Sequence, residues 1–422
     1  MSPSPAAAPE RHPAALTGWR DALVTVLAGF LAMTVVAAAG LAAAGADDLP
    51  DGAFPRVVAA VVVMAAGGSV DVTGSAGFLA GADAGISVLP LSVTLVGALV
   101  AGLCLLRPLR HHAVLTGRQL VYRVAWLTVL WLVALTGFTL YARQTFGIST
   151  GDGAIGTLGE IFDAAPTVGF RGDLPVTLLF GLLWILGLVA LVLSVSRSAP
   201  LPARLLRFHA AVRPAASAVV LLLLAYVALG VVAGLVVAVT RGHTAETFAV
   251  LLLGLPNLVW MAFTVGFGGA WEGRVDGPFG LPMPKVLDEV LRTPDVSTLD
   301  LGTLGDRDGR AWLLAVVAAV LLVAAGIANA RRSPVGTRPW QLALRLGVAL
   351  ALATLVVCLL AGVQARFGLS LIGIGEVDGL GGRVELNPLL WRNVGLAFLW
   401  GALSGLLGGT LSTPRRGRQD LP

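Results

Sequence analysis

The chain has 422 residues, of which 56% are hydrophobic and only 13% charged, with a mean hydropathy of +0.86. A soluble domain carries about 25% charged residues, so composition excludes a soluble globular protein and leaves a membrane-embedded one. The formal net charge of +5 is not a nucleic-acid signal, because the arginines fall in separate short loops beside apolar runs.

The N-terminal stretch 1–19 is rich in Pro and Ala and reads as a disordered tail. The apolar run that follows, Leu23–Ala44, is longer than the roughly 7–15 residues of a secretory h-region and reads as an uncleaved first span. A spanning helix needs about 20 apolar residues. Candidates in chain order are Ala22–Gly45, Val88–Leu106, Val124–Ala142, Leu174–Ser196, Ala215–Thr240, Ala311–Ala330, Gln341–Val363 and Val394–Leu411. Two further apolar segments are irregular. Pro55–Ala66 is short and runs into the Gly-rich stretch Gly67–Gly85, and Thr247–Gly268 carries Pro256-Asn257 in its middle.

Arginine placement decides how these segments are threaded. The loops Arg107–Arg123, Arg197–Arg213 and Arg331–Arg338 and the tail stretch Arg415–Arg418 hold no acid. Cytoplasmic loops retain Arg and Lys. If both irregular segments cross fully, either orientation of the resulting ten spans misplaces two basic segments. If both enter and leave on one face, the tails and all three basic loops share one side. That side then holds 17 of the 29 cations and, of the 24 acids, only Glu10, Asp21 and Asp420. The pattern predicts an all-α polytopic transmembrane bundle of eight full spans plus two re-entrant or broken elements, with ten spans as the alternative. Both termini are expected in the cytoplasm, and the Arg, Ala, Gly and Val bias points to a bacterial plasma membrane protein.

This threading exposes a duplication. Residues 20–200 and 201–412 each run span, irregular element, span, basic loop, span, long outer loop, span, followed by a tail at 413–422. The second repeat carries a net acidic outer loop at 269–310, expected as a small cap. Similar strings close the third span of each repeat, Arg143-Gln144-Thr145-Phe146-Gly147-Ile148-Ser149 and Arg366-Phe367-Gly368-Leu369-Ser370. Such a repeat is parallel and predicts an axis along the membrane normal.

The residues that could carry function lie in the irregular elements. Asp71 and Asp83, with Ser69 and Thr73, would be costly at membrane depth unless they line a wet path or meet a partner; the alternative is an exposed acidic loop. Asn257 after Pro256 could bond a freed carbonyl or a neighbouring helix. Gly77, Gly81 and Gly85, and likewise Gly401, Gly405 and Gly409, recur at helical spacing, and Gly230 with Gly234 forms a shorter series; all suit close helix packing. Trp19, Trp271, Trp312, Trp340 and Trp391 fall near span ends, as interfacial anchors do. Cys104 and Cys358 lack metal or redox spacing, and no nucleotide, zinc or triad motif is present. No cofactor, metal or catalytic residue is predicted.

The segment Gly67-Gly68-Ser69-Val70-Asp71 through Leu89-Pro90-Leu91-Ser92-Val93-Thr94-Leu95 to Arg107-Pro108-Leu109-Arg110 resembles the streptophobe family, very hydrophobic polytopic membrane proteins of actinobacteria. The resemblance implies location and architecture, and no substrate. Three functions remain open on the sequence. The first is a solute or ion permease using the Gly/Asp element. The second is a non-transporting scaffold that partners another membrane protein or a second copy of itself. The third is an intramembrane enzyme on a lipid-linked substrate, with Asp71 and Asp83 as acid and base.

Overall fold

The apolar runs become helices wherever glycine, proline and charge bound them. The computed structural model describes residues 14–49, 52–68, 70–76, 80–109, 117–147, 167–196, 203–242, 244–276, 297–334, 336–371, 375–376 and 382–412. In the first repeat these form α1 (Ala14–Ala43), α2 (Ala53–Ala65), α3 (Leu91–Leu109), α4 (Gly117–Tyr141) and α5 (Leu174–Val195). The second repeat holds α6 (Ala203–Arg241), α7 (Thr244–Leu253), α8 (Leu255–Gly266), the short α9 (Leu301–Arg307), α10 (Trp312–Arg332), α11 (Pro339–Ala361) and α12 (Leu390–Ser412). Seven of these are long and apolar enough to cross a membrane, the apolar part of α3 (Leu91–Arg107) is shorter, and α7 and α8 meet at a 76° bend. The helical part is an all-α polytopic membrane bundle.

Side-chain contacts tie helix ends together in pairs. Arg123 on α4 lies 4.0 Å from Asp21 on α1, and Arg332 at the end of α10 donates to Ser217 on α6 at 3.2 Å. These arginine-bearing ends are tied in pairs, and α3, α4, α5, α11 and α12 adjoin strands of a β-sheet at their other ends. The short apolar α2 and the bent pair α7–α8 are the two re-entrant or broken elements.

The sheet itself was not anticipated. Its strands are β1 (Val70–Ala76), β2 (Ala80–Ser87), β3 (Gln144–Gly147), β4 (Thr167–Gly172), β5 (Trp271–Asp276), β6 (Ser297–Leu299), β7 (Val363–Leu371), β8 (Gly375–Glu376) and β9 (Gly382–Pro388). They form one nine-stranded antiparallel sheet in the order β3-β4-β1-β2-β7-β9-β5-β6, with β8 paired to β7. The expectation that Gly67–Gly85 dips into the bilayer is corrected: past Gly68 its described residues are strands. Gly81 and Gly85 lie on β2 rather than on a packing helix, and Gly77 lies outside the described residues.

The two repeats match element by element. Buried Leu127, Trp131, Leu135, Thr139 and Ala142 of α4 keep constant spacing to buried Leu346, Leu350, Thr354, Cys358 and Ala361 of α11. Buried Thr177, Gly181, Ile185, Leu188 and Val189 of α5 do the same with Asn393, Ala397, Gly401, Ser404 and Gly405 of α12. The similar Phe-Gly strings fall on β3 and β7. Strand order repeats as well: β3-β4-β1-β2 of the first half corresponds to β7-β9-β5-β6 of the second. The halves join through β2 and β7, whose repeat equivalents, β6 and β3, are the two ends of the sheet. A reciprocal two-fold contact about the membrane normal would have paired those ends, so the repeats meet head to tail instead.

One helix-stop motif turns each re-entrant helix into a strand. Gly67 (φ 90°) follows α2 and Gly268 (φ 93°) follows α8. Gly67 and Gly68 donate to Met64 O and Val63 O, both at 2.9 Å; Gly268 and Gly269 donate to Val265 O at 2.9 Å and Thr264 O at 2.8 Å. This is the Schellman arrangement, which pairs the last helical carbonyls and calls for glycine at the left-handed position. The second glycine of each pair has a different task. A side chain on Gly68 would stand 2.9 Å from Thr177 Oγ1, and one on Gly269 would overlap Asn393, so both let the turn press on the last helix of their repeat.

Small residues also set the second repeat's helix contacts. A methyl on Gly405 would stand 2.6 Å from Leu342 O, and one on Gly401 2.9 Å from Leu346 O. Gly409 lies against Leu342 and Pro339, while Gly230 and Gly234 receive Leu255, Val259 and Leu251 from the bent pair. Gly408 and Gly326 approach so closely that a methyl on either would overlap backbone across the α10–α12 contact. Gly408→Val should therefore lower the melting temperature in detergent, with an overpacking cost of about 1–3 kcal/mol or more. Gly395, with no atom within 4 Å of an added Cβ, is the control: Gly395→Ala should raise it, by up to roughly 1 kcal/mol of helix propensity.

Candidate functional site

Two places collect the polar residues that the sequence singles out. The first is the break between α7 and α8. A 76° bend carries Leu255 N–H away from Leu251 O, its partner in a continuous helix. Ser92, at the start of α3, fills the gap: its hydroxyl donates to Leu251 O at 2.8 Å and accepts from Leu255 N–H at 3.1 Å. Asn257 answers from the other side. Its Nδ2 donates to Leu89 O at 3.0 Å and its Oδ1 accepts from Leu91 N–H at 3.3 Å, spanning Pro90. The two repeats are thus stitched together by side chains completing each other's interrupted backbone. Asn257 was a sequence candidate; Ser92 was not, and nothing in its local pattern marks it.

A second asparagine makes the same clamp at the sheet. Asn393 Oδ1 accepts from Ala270 N–H at 2.8 Å and its Nδ2 donates to Ala270 O at 3.1 Å. Beside it, Trp271 Nε1 donates to Thr264 Oγ1 at 2.8 Å, and Trp400 Nε1 to Phe267 O at 2.9 Å. Trp271 is 0% exposed. It is a core residue at the root of β5 and not the interfacial anchor that its position suggested. Trp312, Trp340 and Trp391 are exposed.

The second place is the sheet. Successive strand residues alternate between faces, so the register sorts the sequence. One face takes Val384 and Leu386 of β9 and Trp271 and Val275 of β5. Val275 and Val384 are buried and pack with Val363 and Leu386. The other face is polar: Glu272, Gln364 and Asn387 are exposed, and Gln364 Nε2 donates to Asn387 Oδ1 at 3.3 Å.

The backbone register pairs Thr73 with Asp83 and sets Asp71 in a row with residues of both repeats. A single cross-strand row runs Arg171, Asp71, Gly85, Arg366, Arg383, Asp276 over six strands. The next row sets Thr145, Gly169, Thr73, Asp83 and Gly368 side by side. Strands lie about 4.8 Å apart, so Asp71 and Arg366 stand roughly 10 Å apart across the bare backbone of Gly85. Ser69 lies outside the described residues. The signal that could have found this face is the alternation in Val-Asp-Val-Thr, Val-Gly-Phe-Arg and Arg-Val-Glu-Leu-Asn, which is strand-like at period two.

Ser92→Ala should leave Leu255 N–H and Leu251 O unpaired at the break, costing about 1–3 kcal/mol, while Ser92→Thr keeps the hydroxyl. Amide exchange at Leu255 should speed up in the alanine variant alone. Equal exchange in both variants would refute the cap.

No protein-family model, no curated protein and no solved structure matches this chain.

Proposed function

We propose that this integral membrane protein is a non-transporting scaffold, and that the polar face of its sheet docks a protein partner. The observation that carries the reading is the charged row from Arg171 to Asp276, assembled from both repeats. Its Asp and Arg positions recur at strand spacing around a single glycine, Gly85, a pattern that favours register and partner discrimination. Asp71 and Asp83, which suggested a conduction path, lie on strands β1 and β2 of this sheet. At the re-entrant break, the polar groups of Ser92 and Asn257 are engaged by backbone.

The arginine-bearing ends are the cytoplasmic ends on this reading, with the sheet on the outer side of a bacterial plasma membrane. The resemblance to the streptophobe family agrees with that location. A permease is the second reading, favoured by one observation: a bent helix pair lies at the junction of two repeats, where transporters of repeated build hold their substrates.

Two measurements test this. Single cysteines at Gln364 or Glu272 should react with an impermeant maleimide on intact cells, and cysteines at Arg331 or Arg338 only after permeabilisation; the reverse pattern would overturn the orientation. A photo-crosslinking residue at Asp83 should trap one discrete protein, and Arg366→Glu with Arg383→Glu should abolish the adduct. Solute or ion flux in proteoliposomes that Asp71→Asn and Asp83→Asn remove would sink the scaffold reading and favour the permease.

A further inference from the structure

The repeats differ at one place in a way that creates a cavity. Between α1, α2 and α4 lies an open cleft of about 540 Å³, within the usual 300–1,000 Å³ of ligand sites. Val58 and Ala59 are buried at its floor, Phe54 and Phe138 wall it, and Gly137 and Tyr141 are exposed at its mouth. The matched helix stops align Gly67 with Gly268, which sets Pro55 against Pro256 and Ala59 against Trp260. The α4–α11 match sets Gly137 against Val356. In the second repeat Trp260 is only 9% exposed, and its indole N–H donates to Leu223 O at 3.2 Å on α6, the equivalent of α1. The chain thus fills this space with its own indole in one repeat and leaves it open in the other, where Ala59 and Gly137 stand.

The lining decides what can enter. Its one hydroxyl at mid-wall, Thr34, already donates to Phe30 O at 2.8 Å. A buried water needs two to four polar partners, which these walls do not offer. Two of its walls, α1 and α4, are helices long and apolar enough to cross a membrane, so the cleft stands beside hydrocarbon. Two arginines bracket it in the chain, Arg56 beside Pro55 and Arg143 two residues beyond Tyr141, and neither forms an ion pair among the described residues. Arg56 lies in the first turn of α2, and Arg143 lies between α4 and β3.

We infer that the cleft is a lipid site, holding one acyl chain of an anionic phospholipid whose phosphate is met by Arg56 and Arg143. The inference is independent of what the sheet face binds. Gly137 gives a clean probe, because an added Cβ there meets no atom within 4 Å and leucine is a better helix former than glycine. The test is native mass spectrometry of the full-length protein released from nanodiscs containing phosphatidylglycerol and phosphatidylcholine. Wild type should retain one phosphatidylglycerol. Gly137→Leu should lose it with its melting temperature held or raised, and Ala59→Trp, copying the second repeat, should lose it too. Arg56→Gln with Arg143→Gln should bind both lipids alike. Undiminished retention in Gly137→Leu would overturn the site, and equal retention of both lipids by wild type would overturn its anionic character. Displacement of phosphatidylglycerol by an added polyprenyl phosphate would overturn the choice of phospholipid as occupant.

Discussion

Every backbone amide and carbonyl in this chain must find a partner even where a helix stops inside the membrane. The rest of the architecture follows from how that demand is met. Two helices, α2 and α8, end part-way and hand the chain to a sheet. Each ends on a glycine pair whose first member takes the left-handed turn and closes two carbonyls. Where the bend between α7 and α8 opens a gap, the hydroxyl of Ser92 from the other repeat closes it. Asn257 and Asn393 each grip a short piece of backbone by both its donor and its acceptor. An unpaired group costs far more here than a hydrogen bond gains in water, so these contacts fix where the re-entrant elements sit.

The duplicated frame leaves its two copies free to diverge in filling. Thr177 and Asn393 occupy equivalent positions, yet only the asparagine clamps the start of its strand. Ala59 and Trp260 correspond, and the difference between them is a cleft. The second repeat packs α12 against α10 and α11 through glycine contacts that approach backbone to backbone. The first relies on aromatic stacking, with Trp131 and Trp184 rings 4.4 Å apart and Phe30 tilted against Trp131 at 4.5 Å. Close backbone approach and ring stacking are alternative ways to gain dispersion contacts where lipid supplies no hydrophobic drive.

The sheet divides the labour of its strands by face. Its apolar side includes Trp271 and Leu299, both 0% exposed and part of the second repeat's core. Its register rows gather positions that lie hundreds of residues apart in the chain. The head-to-tail junction at β2 and β7 makes this one surface rather than two, and it sets Asp71 of the first repeat on the same row as Arg366 of the second.

Hydropathy and arginine placement were enough to read the bundle, the two irregular elements and the existence of two repeats. These are one-dimensional properties: span length is set by bilayer thickness and loop side by charge. The sheet was harder to see, because its strands are rich in Gly, Ala and Asp and poor in the residues that favour strands, and because a Gly-rich stretch next to an apolar run reads equally well as an unwound helix. Alternation along Val70–Thr73 and Arg383–Asn387 was the available clue. What the tertiary structure alone decided was who meets whom. The serine that closes the helix break comes from the other repeat. The arginines opposite Asp71 arrive through strand register, and the cleft exists because one repeat carries Ala59 where the other carries Trp260. Such contacts are fixed by packing and by the pairing of distant backbone groups, and local sequence carries no record of them.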